Sequence, residues 1–220
     1  LDFPPFRSSG LTLYAEKVVR GLAARGHFLT VVAASRPESE QAESVDLSSR
    51  VQVVRVPVGR TDWVGLGLQA ARYLRSCRTA FDVIHFADIH FAYAYRGRFI
   101  ATGHQSFRQR LSSHGGRTYH VNRRDFLFRT LYYTAARWAM EQPCARRAQH
   151  ILMVSEATRR EFIDHYQVPP SHTTVIYTGV DLRRFEQLPE QASARRMLGL
   201  STNVPILLYV GFSTPRKGVE

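Results

Sequence analysis

The stretch T-T-V-I-Y-T-G-V-D-L-R-R-F, Thr173–Phe185, decides how the rest of the chain is read. It opens on a β-branched run, Thr173 to Ile176, that favours an extended strand. Gly179 then permits a turn with positive φ. Asp181 can cap a short helical turn, because its carboxylate accepts backbone N–H groups that have no partner inside the turn. Alone, this is a strand, a turn and an amphipathic Leu-Arg-Arg-Phe. Its flanks give it meaning: a strand–helix unit precedes it, and a second apolar run ending at Gly211 follows it.

Immediately upstream, Ile151–Val154 predicts a strand, Ser155 an N-cap, and 156–166 a helix closed by Pro169-Pro170. Downstream, a short helix is expected near Ser193–Leu198, then a strand over Ile206–Val210 and a loop over Gly211–Gly218. Further back, Arg124 to Arg147 is helical with a stripe of Phe128, Leu131, Tyr132, Ala135 and Trp138, and Pro143 bends or divides it. A stripe on one face is ordinarily a core-facing one. Interleaved with Arg124, Arg129 and Arg137, it also admits a membrane-surface reading.

The N-terminal half repeats the same alternation. Leu1-Asp2-Phe3 reads as the tail of a strand, and Arg7-Ser8-Ser9-Gly10 as a small loop. A helix with apolar residues at Leu11, Tyr14, Ala15, Val18, Val19 and Leu22 stops at Gly26. Strands follow at Phe28–Ala34, Val51–Val56, Asp82–Phe86 and Phe99–Thr102, with a helix at Trp63–Arg78 and a polar loop at Ser35–Arg50. His104–Asn122, with Gly115-Gly116, predicts a long loop of functional character. Strands alternating with helices imply an α/β fold, a doubly wound parallel sheet of Rossmann-like form.

The 220 residues are 44% hydrophobic and 22% charged, ordinary values for a globular chain with a sizeable core, and no apolar run approaches a membrane-spanning length. The formal net charge is +12, almost all of it arginine, since only Lys17 and Lys217 are lysine. That balance suits a phosphorylated substrate, an anionic membrane surface or nucleic acid. Cys77 and Cys144 lie outside any metal-ligand spacing and read as buried thiols of a reducing compartment.

Three places could carry chemistry. Ser9 and Gly10 lie between a strand end and a helix start, where small residues let backbone N–H groups approach a phosphate; an ordinary strand-to-helix turn has the same appearance. His104 follows a strand across Gly103, at a carboxyl edge, where an imidazole can share a proton with a hydroxyl; His85, inside an apolar run, reads instead as a hydrogen-bonded core residue. In Gly211–Gly218 the glycines give room while Arg216 and Lys217 supply charge for a diphosphate, and an exposed basic turn is the alternative. His90, His114 and His120 have no metal-site spacing.

Taken in order, F-D-V-I-H (Phe81–His85), A-T-G-H (Ala101–His104), I-L-M-V-S-E-A-T-R-R-E-F (Ile151–Phe162), V-I-Y-T-G-V-D-L-R-R-F (Val175–Phe185) and L-L-Y-V-G-F-S-T-P-R-K-G (Leu207–Gly218) resemble the family-four retaining glycosyltransferases of two-Rossmann-domain, or GT-B, architecture. The resemblance spans nearly the whole chain. It implies that the Ser9-Gly10 loop lies near the donor diphosphate and the acceptor, that His104 faces the reacting sugar, and that Lys217 neutralises the leaving diphosphate, with Gly211 and Arg216 beside it. Two positions depart from the family pattern: Phe212 replaces an arginine and Thr178 an asparagine.

The resemblance also implies a division into an acceptor-side domain over 1–176 with most of its first strand missing, a crossover over 177–203, and the first strand and phosphate loop of an incomplete nucleotide-sugar domain over 204–220. The implied activity is transfer of a sugar from a nucleotide-diphospho-sugar to an acceptor hydroxyl with retention, the 220 residues alone being inactive. No cofactor and no metal are expected, the nucleotide-sugar being a substrate. The partners are that donor and a hydroxyl acceptor, without nucleic acid. The location implied is cytoplasmic, with peripheral contact at an anionic inner membrane face. The rival readings are a nucleotide-sugar epimerase of similar shape and an anion- or nucleic-acid-binding module.

Overall fold

The computed structural model describes residues 3–4, 9–35, 47–58, 62–77, 80–112, 123–201 and 204–211. Every strand pairing in it is parallel. Strands β1 (Leu29–Ser35) and β2 (Val51–Pro57) form one pair; β3 (His85–Phe86), β4 (Ile100–Gly103), β5 (His150–Met153) and β6 (Thr173–Val175) form a second sheet in that order. An apolar cavity of about 270 Å³ lies between β1 and the segment carrying β3, with residues of helices α1 (Gly10–Ala24) and α2 (Asp62–Ser76) completing its walls.

The expected α/β architecture is present, and its local causes are visible. Ser9 caps α1, its hydroxyl accepting from Thr12 N at 3.4 Å. Gly26, at φ +93°, turns the chain out of α1 in a conformation that a side chain would strain. Gly103 ends β4 where an added Cβ would lie 2.7 Å from Met153 Sδ on β5. A side chain there would require Met153 to shift just before His104.

The main core gathers Phe86, Ile89, Phe99, Ala101, Ile151, Met153, Phe162, Tyr166 and Val168. Helix α6 (Glu156–Tyr166) covers β5 and β6 through Phe162 and Tyr166, both fully buried; Ser155 caps it, accepting from Thr158 N at 3.1 Å.

Several expectations are corrected. The apolar run Ile206–Val210 forms no strand ladder among the described residues, and Leu207, Leu208 and Val210 are exposed. Its composition suits a strand buried on both faces, and no described neighbour offers the pairing it needs. Residues 107–112 form a helix, α3, inside the expected long loop, whose residues 113–122 lie outside the described residues. The strand expected at Asp82–Phe86 narrows to His85–Phe86. Gly179 is not at positive φ, and space around it is open; the turn that follows is made by Asp181, which accepts from Arg183 N at 3.2 Å. Cys144 is buried, its thiol pushed up to about 11 chiefly by burial, but Cys77 is only half-buried.

The helical stretch divides near the expected point into α4 (Arg123–Ala136), a π-turn (Arg137–Glu141) and α5 (Gln142–Arg147), with Pro143 in the first turn of α5. Its apolar stripe is not core-facing. Phe128, Leu131 and Trp138 are each about 60–70% exposed. The period specified an apolar face and could not specify what covers it. Beyond Val175 no described residue is buried, up to and including the short helix α7 (Gln191–Met197) and the 204–211 stretch.

Candidate functional site

Parallel pairing lines up the carboxyl ends of β3, β4 and β5, so the segments that leave them stand side by side. That edge is where an open α/β sheet collects ligands. From β3 the chain enters Ala87-Asp88 and a 3₁₀ turn, Ile89–Ala92; from β4 it enters His104; from β5 it reaches the Ser155 cap.

His104 is half-buried and doubly held. Its Nε2 lies 3.0 Å from the Ala87 carbonyl oxygen, and the Tyr14 ring meets it edge-on at 4.7 Å between centroids. A carbonyl can only accept, so Nε2 carries the hydrogen and Nδ1 presents its lone pair. Burial is the main cause of a His104 pKa below the ordinary value; the Asp88 carboxylate opposes that shift and the His90 charge adds to it. A neutral imidazole with one fixed donor and one bare acceptor nitrogen can take a hydrogen bond from a hydroxyl.

Tyr14 is the link between His104 and the first loop. It stands one turn into α1, and its hydroxyl lies 2.9 Å from Thr102 Oγ1, which also meets His85 Nε2 at 2.9 Å. His85 is thus hydrogen-bonded as expected, with its pKa lowered first by burial and then by His104. Ser9 and Gly10, one turn before Tyr14, are exposed, and a Cβ on Gly10 would meet nothing within 4 Å. Tyr14 thus ties the first turns of α1 to His104. Gly211 is exposed at the end of the 204–211 stretch, which joins no strand among the described residues, while Arg216 and Lys217 lie outside the described residues.

Behind His104 is a buried array that sequence reading did not identify. His90 Nδ1 meets Asp88 Oδ1 at 2.5 Å, and its Nε2 meets Glu141 Oε1 at 2.8 Å. Glu141 is fully buried and also accepts from Phe107 N at 2.9 Å and from the Tyr166 hydroxyl at 2.5 Å. Burial alone would lower His90, but its two carboxylates outweigh that and raise it to about 9. Burial would raise Asp88, yet the charge and hydrogen bonds of His90 hold it below the carboxylate range. The Tyr166 hydroxyl is pushed up by burial and by Glu141. Among the described residues no group of three or more His, Cys, Asp or Glu side chains could hold a metal ion.

The sequence signature of Glycosyltransferase Family 4 matches residues 8–184. A D-inositol 3-phosphate glycosyltransferase of Kineococcus radiotolerans is 36% identical over 86 residues, 39% of this chain and 20% of its own length. An uncharacterized glycosyltransferase of Methanocaldococcus jannaschii is 24% identical over all of this chain and 55% of its own length.

Among solved structures, WaaG, a glycosyltransferase involved in lipopolysaccharide biosynthesis, superposes with a TM-score of 0.60 at 19% identity, covering 92% of this chain and 51% of that one. Sucrose-phosphate synthase from Thermosynechococcus elongatus superposes with a TM-score of 0.62 at 17% identity, covering 92% and 50%. The chain thus spans from a fifth to about half the length of these relatives. Both superpositions carry the GT-B, Rossmann-like fold. With its matched motifs in order over most of its length, this chain belongs to Glycosyltransferase Family 4.

Proposed function

We propose that the full-length protein transfers a sugar from a nucleotide-diphospho-sugar to an acceptor hydroxyl with retention at the anomeric carbon. The observation that carries this is His104: neutral, held by Ala87, and offering one bare nitrogen at the carboxyl edge beside the start of α1. The bond from the anomeric carbon to the departing phosphate oxygen breaks as a bond to the acceptor oxygen forms on the same face. The acceptor proton passes to the departing phosphate.

In this mechanism His104 orients a sugar hydroxyl. The backbone N–H groups at Ser9-Gly10 attract the diphosphate at the helix start. Lys217 stabilises the leaving group, with Arg216 and Gly211 beside it, and these fixed donors take the place of a metal. Residues 1–176 form the acceptor-side domain, 177–203 the crossover, and 204–220 the start of the nucleotide-sugar domain. The absence of buried residues beyond Val175 among the described residues supports that division. We place the protein in the cytoplasm, in peripheral contact with an anionic membrane surface. Support for that contact comes from the exposed aromatic face of α4 and the +12 charge.

Replacing His104 by alanine in the full-length protein tests the central role. Loss of an oriented hydrogen bond that strengthens in the transition state lowers kcat by about 10²-fold or more. An unchanged kcat sinks the role.

A further inference from the structure

We propose that the buried Asp88–His90–Glu141 array is a positioning device for His104, fixing the His104–Phe107 segment that carries its imidazole. This rests on the role of His104 proposed above, and it adds residues that act on the substrate only through His104.

The array grips the segment from two sides. At its start, His104 Nε2 donates to Ala87 O, the residue before Asp88. At its end, Phe107 N donates to both oxygens of Glu141, at 2.9 and 3.0 Å, while the Phe107 ring lies over His90 with centroids 4.2 Å apart. The Phe107 end therefore rests directly on His90 and Glu141, and the His104 end on the carbonyl one residue before Asp88. Between them, Ser106 Oγ donates to Glu161 at 3.0 Å and caps α3 by accepting from Gln109 N.

The π-turn explains how Glu141 reaches this position. One extra residue in the helical turn rotates the chain that follows, and such insertions recur at functional sites. Glu141 is fully buried although α4 just before it exposes its apolar face. A buried carboxylate is retained only where donors satisfy it, and three do here: His90 Nε2, Phe107 N and the Tyr166 hydroxyl.

The electrostatics follow from the geometry. Carboxylates at both ring nitrogens require both to be donors, so His90 is an imidazolium. Burial lowers the His104 pKa first; within the array the Asp88 carboxylate opposes that shift, and the positive charge of His90 adds to it. The groups facing His90 are Asp88 from its own turn, Glu141 from the π-turn, and the rings of Phe107 and Trp63; Tyr166 reaches it through Glu141. Those facing His104 are Asp88, His90, His85 and Tyr14. With Nε2–H committed to Ala87, His104 is left as an acceptor through Nδ1, to which no described residue donates.

The test is nitrogen-15 NMR of the imidazoles in the full-length protein, which needs no turnover and so separates this inference from the transferase activity. At pH 8 the unsubstituted protein shows His90 with both nitrogens protonated, and His104 as a single neutral tautomer with its hydrogen on Nε2. In His90→Gln the positive charge is gone and Asp88 is unpaired. The His104 titration midpoint then moves up, and the single tautomer gives way to a mixture. A neutral His90 at pH 8 in the unsubstituted protein overturns the proposal. So does a folded His90→Gln protein whose His104 midpoint and tautomer are unchanged. The measurement on the unsubstituted protein decides the matter even if the variant fails to fold.

Discussion

Replacing Glu141 by alanine removes the acceptor shared by His90, Tyr166 and Phe107 N–H, and leaves a buried imidazolium against one carboxylate. Breaking a buried pair from one side costs about 3–5 kcal/mol, to be read as a lower urea midpoint. The same array makes stability depend on pH. His90 is raised from 6.5 to about 9, so its contribution is complete below pH 6.5 and is lost as pH rises through about 9. The difference is on the order of 3 kcal/mol. Unfolding free energy should therefore fall between pH 6.5 and 9 in the parent and stay flatter in His90→Gln; parallel curves would show that the two carboxylates do not hold His90 charged. At this scale, His104 was legible because a glycine and a strand end place it at a sheet edge. His90 and Glu141 were not. They are 51 positions apart, and the π-turn that brings Glu141 inward has no periodic signature.

Helix α4 and the π-turn that follows it present Phe128, Leu131 and Trp138 to solvent, with Tyr132 partly exposed beside them. Three exposed residues contribute little to folding, so changing Phe128, Leu131 and Trp138 to serine together should move the unfolding free energy by about 1 kcal/mol or less. If this face meets a membrane, the same protein loses binding to anionic vesicles by about tenfold or more in a sedimentation assay. Equal vesicle binding by parent and variant removes α4 from the contact. A second element-level test is Ser155→Ala. That change removes the hydroxyl that accepts from Thr158 N and should cost about 1 kcal/mol, measured by thermal unfolding. The order of strands and helices was legible because apolar runs, caps and glycine stops each leave a local signature, as at Ser155 and Gly26. The fate of an apolar face was not, because its cover is a tertiary fact. The stripe of α4 and the run Ile206–Val210 failed for that one reason.

At the scale of the molecule, Thr173 is the last buried residue among those described, and large apolar side chains from Ile176 to Val210 remain exposed. If 177–203 is a crossover, trypsin should cut first at Arg183 or Arg184 and leave the β3–β6 sheet resistant. Earlier cleavage inside 150–175 would contradict the proposed division. Motif order let the sequence name the helix start and His104 as candidates; Tyr14, read only as a core-facing helix residue, turned out to tie the first turns of α1 to His104. The most direct test is to incubate the full-length protein with nucleotide-diphospho-sugars and hydroxyl acceptors, and follow both products by NMR. The prediction is acceptor-dependent release of nucleoside diphosphate, with a glycosylated acceptor that keeps the donor's anomeric configuration. An isomerised sugar formed without acceptor, or a product of inverted configuration, would contradict it.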